Sequence, residues 1–234
     1  LAFLYYEGHS VEKDYPRARQ LFQLAIERGS ANGYYNIGKM YKRGHGFNKD
    51  YIKAKEFFEK AGKLGQMDAL HHLGNLYLHG KGVEQDYSRA RELYEISSKD
   101  LIPGSLYKLG CIYEYGYGVQ IDYLKAKDYY ELAGENGYYS AYLKLAHFFI
   151  DGIVFDADIP KAINYLLKCM KTGREEFFLE NNGYYNIRYN KSYYIAANEL
   201  GLIYLTRLNP PDIQKGEEYL KISAYTTYFY GRNN

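Results

Sequence analysis

Apolar side chains in residues 67–79 recur at the spacing of one face of an α-helix, with polar residues between them. The positions i, i+4, i+7 and i+8 are typical of an amphipathic helix that packs on a core. This face consists of Ala69, Leu73, Leu76 and Tyr77. A second helix is predicted at 87–99, with an inward face of Ala90, Leu93, Tyr94 and either Ile96 or Ser97. We call these two predicted helices helix A and helix B.

A short glycine loop separates the two helices. Gly80 and Gly82 follow helix A, and glycine readily adopts the left-handed conformation that ends a helix. Asp86 stands directly before helix B, where its carboxylate can accept from the open backbone N–H groups of the first turn. The predicted unit is therefore helix A, glycine loop, helix B and turn.

This unit recurs with a period of 36 residues. The first loop glycine is Gly8, Gly44, Gly80, Gly116 and Gly152. The aspartate before helix B is Asp14, Asp50, Asp86, Asp122 and Asp158. The alanine four residues later is Ala18, Ala54, Ala90, Ala126 and Ala162. Three landmarks that keep one spacing indicate an all-α array of helix–loop–helix repeats.

The period divides the chain into repeats and one insert. We predict a truncated repeat at 1–30, further repeats at 31–66, 67–103, 104–139, 140–173 and 194–227, and the start of another at 228–234. The other helices are expected at 15–28, 31–43, 51–64, 104–115, 123–135, 140–151, 159–171 and 213–225. The landmark at Gly201 comes 19 residues late, so residues 174–193 form a predicted insert. Inserts in repeat arrays often carry binding.

Glycine also occupies a fixed position inside helix A, at Gly38, Gly74 and Gly110. A glycine inside a helix costs about 1 kcal/mol relative to alanine, so its repetition indicates a steric requirement. We expect helix A to approach helix B closely at this position. Ala146, the next smallest choice, occupies it in the fifth repeat.

Composition narrows the function classes. The 234 residues carry 30 basic and 28 acidic side chains without a long basic run, so neither nucleic acid nor an anionic membrane is an expected partner. Apolar runs are shorter than the roughly 20 residues of a membrane span. Residues 1–6 lack the features of a signal peptide, and the chain begins as if inside a helix, so we expect a segment of a longer protein. We interpret Cys111 and Cys169, the only two cysteines, as ordinary packing or surface thiols, which favours a reducing compartment such as the cytoplasm.

The landmarks resemble the Sel-one-like repeat, a relative of the tetratricopeptide repeat. The carrying motif is Gly-x-Gly-Val followed by Asp-Tyr and Ala, as in Gly80 to Ala90 and again from Gly116. Gly44-x-Gly46-Phe47 departs at one position, the fifth repeat lacks the second glycine, and Asn209-Pro210-Pro211-Asp212 replaces the sixth loop. The resemblance implies a right-handed α/α superhelical solenoid whose concave face is lined by helix A. It also implies a non-catalytic adaptor role in protein complexes.

Residues that resemble catalytic or metal-binding motifs have simpler structural interpretations. The Gly-x-Gly loops lack the third glycine or the Lys-Ser/Thr of phosphate-binding loops, and their repetition indicates helix ends. His71 and His72 are adjacent and point about 100° apart, while the residue at i+4 from His71 is Asn75, a poor zinc ligand. No serine has a nucleophile context. We therefore expect no enzyme, cofactor or metal site.

The variable positions of helix A predict the partner-binding surface, if this helix lines the concave face. They grade from basic to aromatic to mixed, which suits an extended or helical peptide with an acidic end. The predicted residues are Tyr35, Lys39, Lys42, Arg43, His71, Asn75, Leu78, His79, Tyr107, Glu114, Tyr115, Leu143, His147 and Asp151, with Cys111 and Ile150 on the same faces. Tyrosines in register are expected in the core, namely Tyr41, Tyr77, Tyr113 and Tyr204. The others are either interface residues or a consequence of the tyrosine-rich composition.

These features favour a protein–protein interaction scaffold that belongs to a larger regulatory or signalling protein. A second hypothesis is that the array is the targeting arm of a multidomain enzyme, such as a protein kinase, whose catalytic domain lies outside this segment. A third, glycan or peptidoglycan-linked binding, predicts a signal peptide on the full chain.

Overall fold

The computed structural model describes residues 1–8, 10–152, 154–172, 174–177, 186–189 and 191–230. This part of the chain contains twelve α-helices and one pair of short strands. The helices are α1 (Ala2–Glu7), α2 (Tyr15–Glu27), α3 (Ala31–Arg43), α4 (Tyr51–Lys63), α5 (Met67–His79), α6 (Tyr87–Ser98), α7 (Pro103–Tyr115), α8 (Tyr123–Glu135), α9 (Ser140–Ile150), α10 (Ile159–Thr172), α11 (Lys191–Thr206) and α12 (Ile213–Tyr230). The antiparallel strands are β1 (Arg174–Phe177) and β2 (Asn186–Tyr189).

The chain forms two compact units, residues 1–121 and residues 122–234. In the first unit, each of the helices α1 to α6 packs on the next helix in sequence. In the second unit, the main packing joins α8 to α9, α9 to α10, α10 to α11 and α11 to α12. The prediction of an all-α fold of packed helix pairs is confirmed. No helix in the described part combines the length and the apolar composition needed to cross a membrane.

Most predicted helix bounds agree with the structure to within one residue. The glycine and aspartate landmarks explain this accuracy, because they set the helix ends directly. Helix α12 is the exception, since it continues through Tyr230, past the predicted end at 225. The predicted insert also differs, because 191–193 already belong to α11 and the strand pair was not expected. Residues 178–185 and 190 of the insert, like residues 231–234 after α12, lie outside the described residues.

The aspartate before each helix B caps that helix as predicted. The backbone N–H of Arg17, Lys53, Arg89 and Lys125 donates to the carboxylate three residues earlier at 2.8, 2.9, 2.8 and 3.0 Å. The loop glycine ends helix A in the left-handed conformation, with φ of 78° at Gly44 and 60° at Gly80. These caps satisfy helix-end groups that would otherwise lack hydrogen bonds.

The glycine inside helix A is explained by an aromatic ring of helix B. A Cβ atom at Gly38 would lie 2.7 Å from the Phe58 ring, and one at Gly74 would lie 2.7 Å from the Tyr94 ring. Both rings are fully buried. The predicted close approach of helix A to helix B is therefore confirmed at these two positions. A ring of helix B, and not its backbone, makes the contact with the glycine.

The second loop glycine has a role that the sequence did not indicate. A Cβ atom at Gly46, Gly82 or Gly118 would lie 3.1, 2.7 or 3.0 Å from the Cβ atom of the first residue of the preceding helix B. Those first residues are Tyr15, Tyr51 and Tyr87. The loop residue between the glycines covers the same ring in two of these cases, with ring centroids 4.7 Å apart for His45 and 5.2 Å apart for Tyr117. Each loop thus docks on the repeat before it.

The tyrosines expected in the core are only partly buried. Tyr41 and Tyr77 pack against the edge of the apolar core, while Tyr94 and Tyr130 are completely buried. The prediction that these tyrosines are core residues was wrong about how deeply they are buried. Helix B instead supplies the large buried rings, which pack against the helix A glycines. Cys169 is buried, and burial raises the pKa of its thiol to about 12, as expected for a packing residue.

Candidate functional site

Four predicted contact residues of α3 converge on a cluster of polar rings in the first unit. Tyr35, Lys39, Lys42 and Arg43 share this helix face and surround Tyr6 of α1 and His72 of α5. We call these six residues the α3 basic patch. Tyr6 is buried, Arg43 is exposed, and the other four side chains are partly exposed. Tyr6 and His72 were missed by sequence analysis because they come from other repeats.

Hydrogen bonds fix the geometry of the α3 basic patch around His72. The Lys42 Nζ atom lies 3.2 Å from His72 Nδ1, and the Tyr35 hydroxyl lies 3.3 Å from His72 Nε2. An ammonium group can only donate, so Nδ1 accepts and Nε2–H of the neutral ring donates to the Tyr35 oxygen. The Tyr35 and His72 rings also stack, with centroids 5.6 Å apart. This arrangement leaves the Tyr35 hydroxyl proton directed away from His72.

The second half of the patch is built on Tyr6. Arg43 donates from one guanidinium nitrogen to the Tyr6 hydroxyl at 3.0 Å, and that hydroxyl lies 3.2 Å from His45 Nδ1. The Lys39 ammonium lies 5.7 Å from the Tyr6 ring centroid and 5.2 Å from the Tyr35 ring centroid. Aromatic rings at these distances stabilise a cation without neutralising it.

The three cations of the patch lack a paired carboxylate. Among the residues that the structure describes, no acidic side chain lies within ion-pair distance of Lys39, Lys42 or Arg43. Burial, with the neighbouring positive charges of Arg43 and Lys39, lowers the pKa of Lys42 to about 8. Burial and Lys42 also lower the pKa of His72 to about 2, so this ring stays neutral. The patch is therefore a partly desolvated surface whose cations lack an ion pair, while Glu7 and Asp68 act on Lys39 only from beyond ion-pair distance.

The predicted residues of α5 contribute mainly to internal structure. His71 Nδ1 lies 3.0 Å from the Ser105 hydroxyl, and the Asn75 amide donates to His71 Nε2 at 2.9 Å. The Tyr94 hydroxyl donates to the Asn75 side-chain oxygen at 3.2 Å. Burial lowers the pKa of His71 to about 4. Leu78 is only 6% exposed, so its expected place on the contact surface is not observed.

Other predicted residues of the first unit remain at the surface. His79 is exposed, Tyr107 and Glu114 are partly buried, and Tyr115 is 47% exposed with its ring centroid 5.6 Å from that of Tyr117. Within the described ranges, no three His, Cys, Asp or Glu side chains are arranged to hold a metal ion.

In the second unit, His147 of α9 and Asp151, directly after that helix, line a depression shared with α11. Leu143 and Ile150 are both only 9% exposed, so neither offers the contact area expected from the sequence. The depression has a volume of about 450 Å³ and also includes Glu199, Leu202, Thr206 and Arg207. Sequence analysis missed these residues of α11 and the position after it because the insert separates them from α9 in the chain.

Charge pairs border this α9–α11 depression. His147 Nε2 lies 3.5 Å from a Glu199 carboxylate oxygen, and an Arg207 nitrogen lies 3.8 Å from a carboxylate oxygen of Asp151. The hydrogen bond to Glu199 raises the pKa of His147, and the same contact lowers the pKa of Glu199. Unlike the cations of the α3 basic patch, these charged groups form direct pairs within the chain.

Comparison with known families gives six matches along this chain. The family model of the Sel1 repeat matches residues 1–30, 31–66, 68–100, 103–138, 140–168 and 195–225. No curated protein matches this sequence.

Solved structures with the same fold come from several bacteria. A Sel1 repeat protein from Oxalobacter formigenes has a TM-score of 0.79 and 25% identity, over 96% of this chain and 85% of that chain. A protective antigen of uropathogenic Escherichia coli strains, which displays an SLR fold, has a TM-score of 0.72 and 23% identity, over 97% of this chain and 45% of that one. An immunity protein from Pseudomonas aeruginosa has a TM-score of 0.57 and 18% identity, over 96% and 81%. The last two similarities concern the fold alone.

Proposed function

The chain belongs to the Sel1 repeat family, and from this premise we propose that it is a non-catalytic scaffold that binds an acidic segment of a partner protein through the α3 basic patch. The fold of this family generally mediates protein–protein interaction. The binding segment would be extended or helical, and the array would serve as one module of a larger regulatory or signalling protein.

The observation that carries this proposal is that Lys39, Lys42 and Arg43 form no ion pair with any residue that the structure describes. Cations that are partly removed from water favour an anionic partner, because the partner replaces the lost hydration. The rings of Tyr6 and Tyr35 support the same interpretation. Aromatic and arginine side chains are enriched at the energetic centres of interfaces.

Affinity capture with charge-reversal variants tests the proposal. The Lys39→Glu/Lys42→Glu/Arg43→Glu variant is expected to lose the partners that the wild-type segment captures from its native lysate. A matched control reverses three exposed cations elsewhere, Arg28→Glu/Lys63→Glu/Lys99→Glu, and has the same net charge change. We expect this control to retain the partners.

Two checks complete the experiment. Circular dichroism melting must show that both variants fold, and Lys39→Gln/Arg43→Gln provides a milder change that leaves the contact between Lys42 and His72 intact. Unchanged capture by the folded patch variant, or equal loss in the control, would contradict the proposal.

A further inference from the structure

We propose that the anion recognised by the α3 basic patch is a phosphate monoester, carried on a phosphorylated side chain of the partner segment. This inference rests on the proposed function and specifies its ligand. It concerns the same six residues, namely Tyr6, Tyr35, Lys39, Lys42, Arg43 and His72.

The amount of positive charge distinguishes a phosphate from a carboxylate. Lys39, Lys42 and Arg43 lie at positions i, i+3 and i+4, within about one turn of α3, without an ion-pair partner in the described residues. One carboxylate supplies a single negative charge and two acceptor oxygens, so it can pair with only part of this group of cations. A phosphate monoester carries about −1.5 to −2 at pH 7 and has three strong acceptor oxygens. It therefore matches the patch in both charge and number of acceptors.

The hydrogen-bond donors of the patch are also in excess. Lys42 uses one of its three N–H groups on His72, and Arg43 uses one guanidinium nitrogen on Tyr6. The Tyr35 hydroxyl accepts from His72, so its own proton is available to an incoming oxygen. Charge-assisted hydrogen bonds of this kind are shorter and stronger than neutral ones. The set combines two ammonium groups, a guanidinium fork and a hydroxyl, all held against the rings of Tyr6 and His72 or of Tyr35.

The charge distribution favours a protein over a lipid or nucleic acid as the source of the phosphate. Membrane-binding patches use clusters of about four to eight basic residues, and nucleic acids need an extended basic stripe. Here, 30 basic and 28 acidic residues nearly cancel. Glu7 and Asp68 are close enough to act on Lys39, so negative charge borders the patch. A single phosphorylated side chain fits this local concentration of charge.

Two-dimensional amide NMR with minimal probes tests the inference directly. The probes are acetyl-Ala-phosphoserine-Ala-amide, its glutamate and serine counterparts, and inorganic phosphate. We expect the phosphoserine probe to bind about tenfold more tightly than the glutamate probe, with shifts centred on the amides of Tyr35 to Arg43. We expect the serine probe not to bind and inorganic phosphate to bind more weakly than the phosphoserine probe.

Conservative variants locate the binding in the patch. Lys42→Met removes the charge but keeps most of the length, and Tyr35→Phe removes only the hydroxyl. Both are expected to reduce phosphoserine affinity at least about threefold, whereas the exposed Lys63→Met is expected to have no effect. Equal loss with Lys63→Met would mean diffuse attraction and would overturn the inference.

The pH profile gives a second readout that a purely structural role would not change. Affinity should rise near pH 6 as the phosphate loses its second proton, and should fall as pH increases through about 8, where Lys42 loses its charge. The alkaline fall should be smaller in Lys42→Met. The charged and titratable groups that surround Lys42 and its neighbours are Glu7, Tyr35, Lys39, Arg43, Asp68, His72 and Lys81.

The outcomes separate this inference from the proposed function. If the glutamate and phosphoserine probes bind equally, and both need Lys42, the phosphate inference fails while acidic-segment binding stands. If inorganic phosphate binds as well as the phosphoserine probe, the site is one for a free anion and the inference fails. If no acidic probe binds and charge reversal leaves partner capture unchanged, both fail.

Discussion

His71 and His72 are adjacent in α5, yet they belong to different structures. His71 joins a hydrogen-bond network with Asn75 and Ser105, whereas His72 supports the α3 basic patch. Sequence analysis predicted that they point in different directions, because helix geometry determines this. It could not predict their partners, since Ser105 and Tyr35 lie in neighbouring repeats. Periodicity assigns a residue to a face but not to the side chain that it meets there.

The ion pair between His147 and Glu199 gives a prediction at this scale. The Glu199→Gln variant tests this ion pair, because it removes the negative charge that raises the pKa of His147 and keeps the shape of the side chain. We expect the NMR-measured pKa of His147 to fall towards its ordinary value of 6.5 in this variant, since Glu199 raises it. Asp151→Asn is the control, and it should lower the pKa less because Asp151 is a weaker cause of the shift.

The same shifts set the pH window of the pair. The raised pKa of His147 stabilises the fold below pH 6.5, and this contribution is lost as pH rises through the folded-state value. The lowered pKa of Glu199 contributes stability above pH 4.5, and this contribution is lost as pH falls through the folded-state pKa. Because His147 is about half exposed, solvent screening limits the pair to a few tenths of a kcal/mol. An unchanged His147 pKa in Glu199→Gln would contradict the observed contact.

At the scale of the element, glycines and aspartates carried most of the predictive information. Aspartate caps and left-handed glycines act through local backbone geometry, so the sequence indicated the helix ends to within about a residue. Gly82 has a second role in contacting Tyr51 of the preceding repeat, and no local signal distinguishes this from a helix stop. The strand pair of the insert was missed because its sequence lacks the period on which the predictions rested.

Substitution of Gly82 by alanine tests loop docking. Gly82 has φ of 70°, and a Cβ atom there would lie 2.7 Å from the Tyr51 carbonyl carbon and 2.9 Å from the Ile52 nitrogen. We expect Gly82→Ala to lower the free energy of unfolding by about 2–4 kcal/mol, from left-handed strain and steric overlap together. Urea denaturation provides the measurement.

Gly65→Ala is a matched control for this substitution. Gly65 also has a positive φ, 86°, but a Cβ atom there would meet nothing within 4 Å. It should therefore cost only the conformational strain, about 1–2 kcal/mol. Equal destabilisation by the two variants would show that the docking contact contributes nothing.

At the scale of the whole chain, the sequence predicted the repeat fold well and the binding surface only in part. The fold was predicted from a short sequence pattern that recurs, so each copy of the pattern strengthens the prediction made from the others. The surface depends on how neighbouring repeats combine their side chains. Four of the predicted residues share one face of α3, but Leu78 and Leu143 are buried and the α11 side of the depression was missed.

Because each helix packs mainly on the helices next to it in sequence, a core substitution is expected to destabilise its own region of the array. Phe58 is completely buried beneath Gly38, so Phe58→Ala should cost about 3–5 kcal/mol. In arrays, such a loss is felt most strongly by adjacent repeats. Hydrogen exchange should accelerate in α3 to α6, while the amides of α11 and α12 keep their protection. Ile52→Ala, at a 60% exposed position, should change neither region. Uniform acceleration along the chain would contradict this expectation.

The docking of each glycine loop on the preceding tyrosine has a genetic consequence. Loss of residues 51–86, one full period, keeps the contacts of Gly46 with Tyr15 and of Gly118 with Tyr87. It also brings Tyr94 into the place of Phe58 beneath Gly38, and Tyr94 already fills the equivalent place beneath Gly74. Every repeat in this stretch therefore carries both the loop glycine that contacts the preceding repeat and the tyrosine that the next loop contacts. Unequal recombination can therefore add or remove whole repeats here while the contacts between neighbouring repeats stay the same. The number of repeats is then itself a trait on which selection can act.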